Sequence, residues 1–166
     1  MIVMTPKSLL RHPMATSEVS ELTKGGFRQV IADPDVEDTA AVTRLVLCTG
    51  KVYYDIQGHP LRKKFDHVAI GRVELLYPFP GPAIAALLEL YPNVTEVVWA
   101  QEEPRNMGAL TFIGPRLRTI VPRKVPLSYA ARPERASPAE GKTSSHAESQ
   151  NAVIIEALGG ETPTKA

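Results

Sequence analysis

The stretch Arg44-Leu45-Val46-Leu47-Cys48-Thr49-Gly50-Lys51 decides the architecture. After Arg44 the run is apolar without alternation, as in a strand covered on both faces. Thr49-Gly50 turns the chain, and Lys51 to Lys64 reads as mostly helical, with Gly58 and Pro60 as interruptions. The same unit recurs downstream. Val68 to Val73 is a second strand. A helix over residues 80 to 91 places Ile84, Leu87, Leu88 and Tyr91 at i, i+3, i+4 and i+7, on one face. Glu96 to Ala100 is a third strand, residues 105 to 120 a helix, and Leu127 to Ala130 a fourth strand. A last helix spans 143 to 158 and ends at Gly159-Gly160. Strands alternating with helices predict an α/β fold whose mostly parallel sheet is covered on both faces.

Upstream, the pattern is irregular. Ile2 to Met4 reads as a short strand or linker entry, and Pro6 to His12 as a helical turn with Pro6 near its start. Residues 13 to 26 are polar and end at the Gly25-Gly26 turn. Phe27 to Ile31 alternates like an exposed strand until Asp33-Pro34-Asp35 breaks it. We therefore read 1–42 as a linker and lead-in, 43–160 as the α/β domain, and 161–166 as a disordered tail.

The chain has 166 residues, enough for one domain with a proper core. With 19 Lys and Arg against 18 Asp and Glu, no charge excess steers it to nucleic acid or an acidic membrane. No apolar run approaches the roughly 20 residues that span a bilayer. Cys48 is the one cysteine, so no internal disulfide and no oxidising compartment are implied; its apolar neighbours make it a core thiol. Met1 to Met4 is too short for a signal peptide, so the cytoplasm is the expected location. The abrupt start suggests a piece of a longer chain.

Candidate chemistry gathers at strand ends, where ligands collect in open α/β sheets. Glu102 and Glu103 follow the third strand. As neighbours in extended chain they point to opposite faces and would not share one site. With Arg105 they read as capping or interface residues at the start of the next helix. Thr49-Gly50-Lys51 lies between strand and helix, where a plain turn and an anion site are both open readings. It lacks the spacing of a P-loop. Arg132 and Arg135 occupy the loop after the fourth strand, as solvated charges, interface pairs or a phosphate clamp. His12, His59, His67 and His146 have no metal spacing, so no metal site is expected; His146, on the last helix, is a candidate loop or interface donor. No catalytic constellation emerges.

Several segments resemble, in order, the C-terminal domain of the thiamine-dependent 2-oxoglutarate dehydrogenase component. They are Met4-Thr-Pro-Lys-Ser-Leu-Leu-Arg-His-Pro13, Leu47-Cys-Thr-Gly-Lys-Val-Tyr-Tyr-Asp55, Leu76-Tyr-Pro-Phe-Pro80, Val98-Trp-Ala-Gln-Glu-Glu-Pro-Arg-Asn-Met-Gly108 and Arg132-Pro-Glu-Arg-Ala-Ser-Pro-Ala-Glu-Gly141. His146, Glu148 and Gln150 resemble the family's last helix. Leu75 stands where the family usually has Gln, and Thr49 where Ser is usual.

The resemblance implies a three-layer unit like the transketolase C-terminal domain. It implies a full subunit that binds thiamine diphosphate and magnesium, decarboxylates 2-oxoglutarate and succinylates a lipoyl group within the tricarboxylic acid cycle. That subunit is a homodimer that works with dihydrolipoyl succinyltransferase and dihydrolipoyl dehydrogenase. The cofactor sites lie in preceding domains, so this chain alone is expected to hold no cofactor and to be inactive, with a structural, dimerisation or regulatory role. Some members respond to acetyl-CoA; here Lys51, Arg132 and Arg135 would be its phosphate partners. A stand-alone binding module and the equivalent domain of a 2-oxoadipate dehydrogenase are the alternatives.

Overall fold

The computed structural model describes residues 2–160; the expected tail at 161–166 lies outside the described residues. Five strands form one sheet in the order β1-β3-β2-β4-β5. They are β1 (Val30–Ile31), β2 (Arg44–Cys48), β3 (Val68–Val73), β4 (Glu96–Pro104) and β5 (Leu127–Arg132). β2, β3, β4 and β5 run parallel to one another, and only β1 is antiparallel, to β3. The helices are α1 (Val19–Thr23), α2 (Val52–Gln57), α3 (Gly81–Leu90), α4 (Leu110–Ile120) and α5 (Thr143–Leu158).

The strict two-residue period of a strand sorts the apolar run into two cores. Leu45, Leu47, Val97 and Trp99 face α3 and α4, meeting Ile84, Leu87, Ile113 and Leu117. Val46, Cys48, Val98 and Ala100 face the opposite way, onto Val52 and Ile56 of α2 and Val153, Ile154, Ala157 and Leu158 of α5. Helices on both faces make the three layers. Gly71 of β3 lets α3 approach: a Cβ there would lie 2.5 Å from Leu87 Cδ2 and 2.9 Å from Leu47 Cδ2.

Arg44 ties the sheet to the last helix. Its Nε donates to the Ala157 carbonyl (2.9 Å) and its Nη2 to the Glu156 carbonyl (2.8 Å), while Nη1 pairs with Glu96. Both carbonyls belong to the last turn of α5, where intrahelical donors run out and Glu156 receives only the Gly159 N–H, so the guanidinium acts as a C-cap. Gly159 follows at φ +89 and closes the helix.

Several sequence expectations are corrected. Ile2 to Met4 forms no strand, and Phe27 to Ile31 shrinks to the two-residue β1. The interrupted helix over 51–64 resolves into α2 and a 3-10 turn at Arg62–Lys64. β4 runs on to Pro104, so Glu102 and Glu103 lie within a strand and cap no helix; α4 begins only at Leu110. The reason is Gln101, whose Nε2 donates to the carbonyls of Glu103, Pro104 and Met107 at 3.3, 3.1 and 2.8 Å. The amide holds the segment extended as far as Pro104, whose carbonyl also accepts from the Met107 N–H at 2.8 Å where the chain turns. β5 likewise runs to Arg132, which is therefore a strand residue and not part of a loop.

A charged network at the strand ends

The chain moves from β2 outward to β3, crosses back over β2 to β4, and continues to β5. The order of connection thus reverses between β2 and β4, and the crevice at their C-terminal ends is the position where open α/β sheets take ligands. Lys51, just past β2, and Glu102, on β4, meet there with Nζ and Oε1 3.7 Å apart. Lys51 also pairs with Asp55, one helical turn on. Gln150 reaches down from α5, and its Nε2 donates to both Asp55 Oδ2 and Glu102 Oε1 at 2.9 Å.

Gln150 Oε1 in turn accepts from Arg132 Nη2 (2.9 Å), which also lies 3.2 Å from His146 Nδ1. A guanidinium only donates, so Nδ1 is the acceptor and the ring proton sits on Nε2. Arg132 Nη1 stands 3.9 Å from Glu140, which also pairs with Arg135 and accepts from Ser149 Oγ at 2.9 Å. The Arg132 side chain is 4% exposed, and its Nε is buried without a partner among the described residues. The Glu140 carboxyl is held below the usual range, first by the Ser149 hydroxyl and then by the arginines. The loop between β5 and α5 is laced to the turn after β4 by Asn106: its side chain donates to the Arg135 carbonyl (2.9 Å) and accepts from the Arg135 N–H (3.1 Å).

This network neutralises itself. Lys51 faces two carboxylates, Arg132 and Arg135 share a third, and Gln150 bridges the two halves. Two clefts flank it, of about 610 Å³ beside Glu102, Glu140, Lys142 and His146, and about 550 Å³ beside Arg105, Arg135, Ala152 and Glu156. The arrangement can bind or orient an ionic group. It offers no activated nucleophile: Cys48 is fully buried and desolvation pushes its thiol up to about 12.

A family model described as 2-oxoglutarate dehydrogenase C-terminal matches residues 16–158. The chain belongs to this family. Relatives described as 2-oxoglutarate dehydrogenase E1 component include one from Exiguobacterium sp., 45% identical over 161 residues, covering 95% of this chain and 17% of its own. One from Haemophilus influenzae is 44% identical over 158 residues, with coverage of 95% and 17%. One from Cupriavidus necator is 44% identical over 154 residues, with coverage of 93% and 16%. The chain thus spans less than a fifth of the length of these relatives.

Within this 2-oxoglutarate dehydrogenase C-terminal domain, the predicted site residues fall into two groups. Lys51, Glu102, Arg132, Arg135 and His146 converge on the network. Glu103 is exposed on the rim of the cleft that Glu102 also lines, and Arg105 lies outside, with Nη2 at 3.2 Å from the Tyr129 carbonyl and 3.4 Å from Glu156. α2 has six residues, and Lys51, just before it, enters the network through its ammonium. Asp55, Glu140 and Gln150 stand in the family-like segments, but the sequence reading singles out none of them as a site residue. The Lys51–Asp55 spacing of four was the available signal for the first; nothing local marks the other two, which join the network across the fold.

The fit of a diphosphate and its metal can be judged from the donor set. Magnesium wants carboxylate or other oxygen ligands with free lone pairs. Among the described residues no three His, Cys, Asp or Glu side chains converge on a point that could hold a metal. The acids at the strand ends are already taken by Lys51, Gln150 and Arg135. Thiamine diphosphate with magnesium does not fit these residues. No helix among the described residues is long and apolar enough to cross a membrane.

Proposed function

We propose that this chain serves as the C-terminal domain of a 2-oxoglutarate dehydrogenase E1 component, supporting and shaping a catalytic body formed by other parts of that polypeptide. Two observations support the reading: the ligand-taking crevice of the sheet is crossed by the chain's own ion pairs and the Gln150 bridge, and relatives that match it almost end to end are several times longer. In this reading the assembled subunit is an oxidoreductase of the cytoplasm, binds thiamine diphosphate and magnesium outside this domain, and works as a homodimer with dihydrolipoyl succinyltransferase and dihydrolipoyl dehydrogenase. Residues 43–160 are the folded unit and 1–42 its lead-in.

The test is a chimera in which this chain replaces the matching segment of the Exiguobacterium relative. We expect 2-oxoglutarate decarboxylation to survive the exchange and to vanish when the segment is deleted. A folded but inactive chimera overturns the reading, as does carbon dioxide release by this chain alone.

A regulatory role belongs to the same reading. An effector such as acetyl-CoA would bring phosphates to Lys51, Arg132 and Arg135 by displacing Glu140 from the arginines. Calorimetry with acetyl-CoA on the chimera and its Arg132→Ala variant tests this; undiminished affinity in the variant removes Arg132 from the role.

A further inference from the structure

β5 is the long free edge of the sheet. The opposite edge, β1, has two residues and is too short to template another strand. The Val97 N–H donates to the Pro126 carbonyl at 3.0 Å, which sets the phase of β5: even-numbered residues turn their backbone groups toward β4. Leu127, Tyr129 and Ala131 therefore turn theirs outward. An exposed row of this kind invites another strand.

Charged side chains occupy that row. Arg118 Nη2 donates to the Leu127 carbonyl at 3.2 Å, and Arg105 Nη2 to the Tyr129 carbonyl at 3.2 Å. The Glu156 carboxylate faces the Ala131 N–H. Arg105 and Glu156 also pair with each other at 3.4 Å, so the two form a strap between the turn after β4 and the end of α5. Three elements thus send one side chain each to the same edge, and each caps a different outward residue.

We propose that Arg105, Arg118 and Glu156 form a guard that stops a second copy of this chain from adding its β5 to this one. The edge is self-complementary. An antiparallel pair centred on Tyr129 sets Tyr129 opposite Tyr129 and Leu127 opposite Ala131, so the outward N–H and C=O groups of all three residues find partners. Every contact of the guard falls on a group that such a pair would need. The cleft of about 550 Å³ alongside, walled by Ala131, Ala152 and Val153, leaves room for the incoming side chains. Opened, the edge would join two sheets into one across a two-fold axis.

The experiment compares the chain with its Arg105→Ala/Arg118→Ala/Glu156→Ala variant by sedimentation velocity over a dilution series, with amide hydrogen exchange at Tyr129. The variant is expected to sediment, at the concentrated end, at twice the parent's mass, and its Tyr129 amide to become protected as concentration rises. Glu156→Gln alone leaves both arginines on the edge and is expected to stay at the parent's mass. A triple variant with the parent's circular dichroism and the parent's mass throughout overturns the proposal. Should the triple variant lose its fold, Arg105→Ala/Arg118→Ala uncovers the Tyr129 and Leu127 carbonyls, and exchange at Tyr129 that ignores concentration overturns it equally.

Discussion

Asp33 has no exposed side-chain surface, yet it is an acid among apolar neighbours. Its Oδ2 accepts from Arg62 Nη2 and from the Ile70 N–H, both at 2.9 Å, and its Oδ1 accepts from the Asp35 N–H at 3.1 Å. One carboxylate thereby pins the loop after β1, the turn before β3 and β3 itself. Removing it leaves a guanidinium, 12% exposed, without its anion. We expect Asp33→Ala to cost about 3–5 kcal/mol, measured as the shift in a urea unfolding midpoint with unchanged slope. The sequence offered Asp33-Pro34-Asp35 only as a break, because turn chemistry and a buried anchor use the same residues. The burial of Arg132, though not its candidacy, was hidden for a related reason: charge reads as solvent, and the strand that buries it is set by pairing with β4. Cys48 was legible, since its burial follows from its immediate apolar neighbours.

At the scale of elements, β2, β3 and α5 agree with the sequence residue for residue, because each carries a local signal: Thr49-Gly50 after β2, an apolar run broken only by Arg72 in β3, and Gly159 after α5. β4 and β5 run past their apolar stretches because backbone pairing continues where side chains turn polar, with Pro104 still opposite Arg132. Hydrophobic patterning cannot report that. Nor does it show how closely elements approach, which is the role of Gly71. Its neighbours Leu87 and Leu47 leave no space for a methyl group, and both are buried in the same core. Gly71→Ala should therefore destabilise by about 1–3 kcal/mol through overpacking, although alanine favours a strand no less than glycine does. Pairing it with Leu87→Ala provides the check: the double variant should lose less than the sum of the two singles. Simple addition would place the cause elsewhere.

For the whole molecule, near-neutral net charge conceals two carboxylates that respond to acid in opposite senses. Glu140 is held below the usual carboxylate range by the Ser149 hydroxyl and the arginines beside it. Its folded form binds a proton less readily than the unfolded chain, so its contribution is present above the ordinary Glu range and is lost as pH falls through the folded value. Glu156 is pushed above that range by burial, which Arg105, Arg44 and the Ala131 N–H offset only in part. Its contribution has the opposite sign: it is fully present below the ordinary Glu range and disappears as pH rises through the raised value. Glu140→Gln should thus lower the urea midpoint at neutral pH, with the deficit closing in acid. Glu156→Gln, which removes a poorly solvated charge but keeps an acceptor for Ala131, should raise the midpoint at neutral pH, with the gain closing in acid. The parent's own profile should be flatter than the Glu140 contribution alone would make it, because the two slopes oppose each other. Midpoints measured across a pH series for the three proteins decide this, and two variants that shift in the same direction at neutral pH would show that one of these environments has been misread.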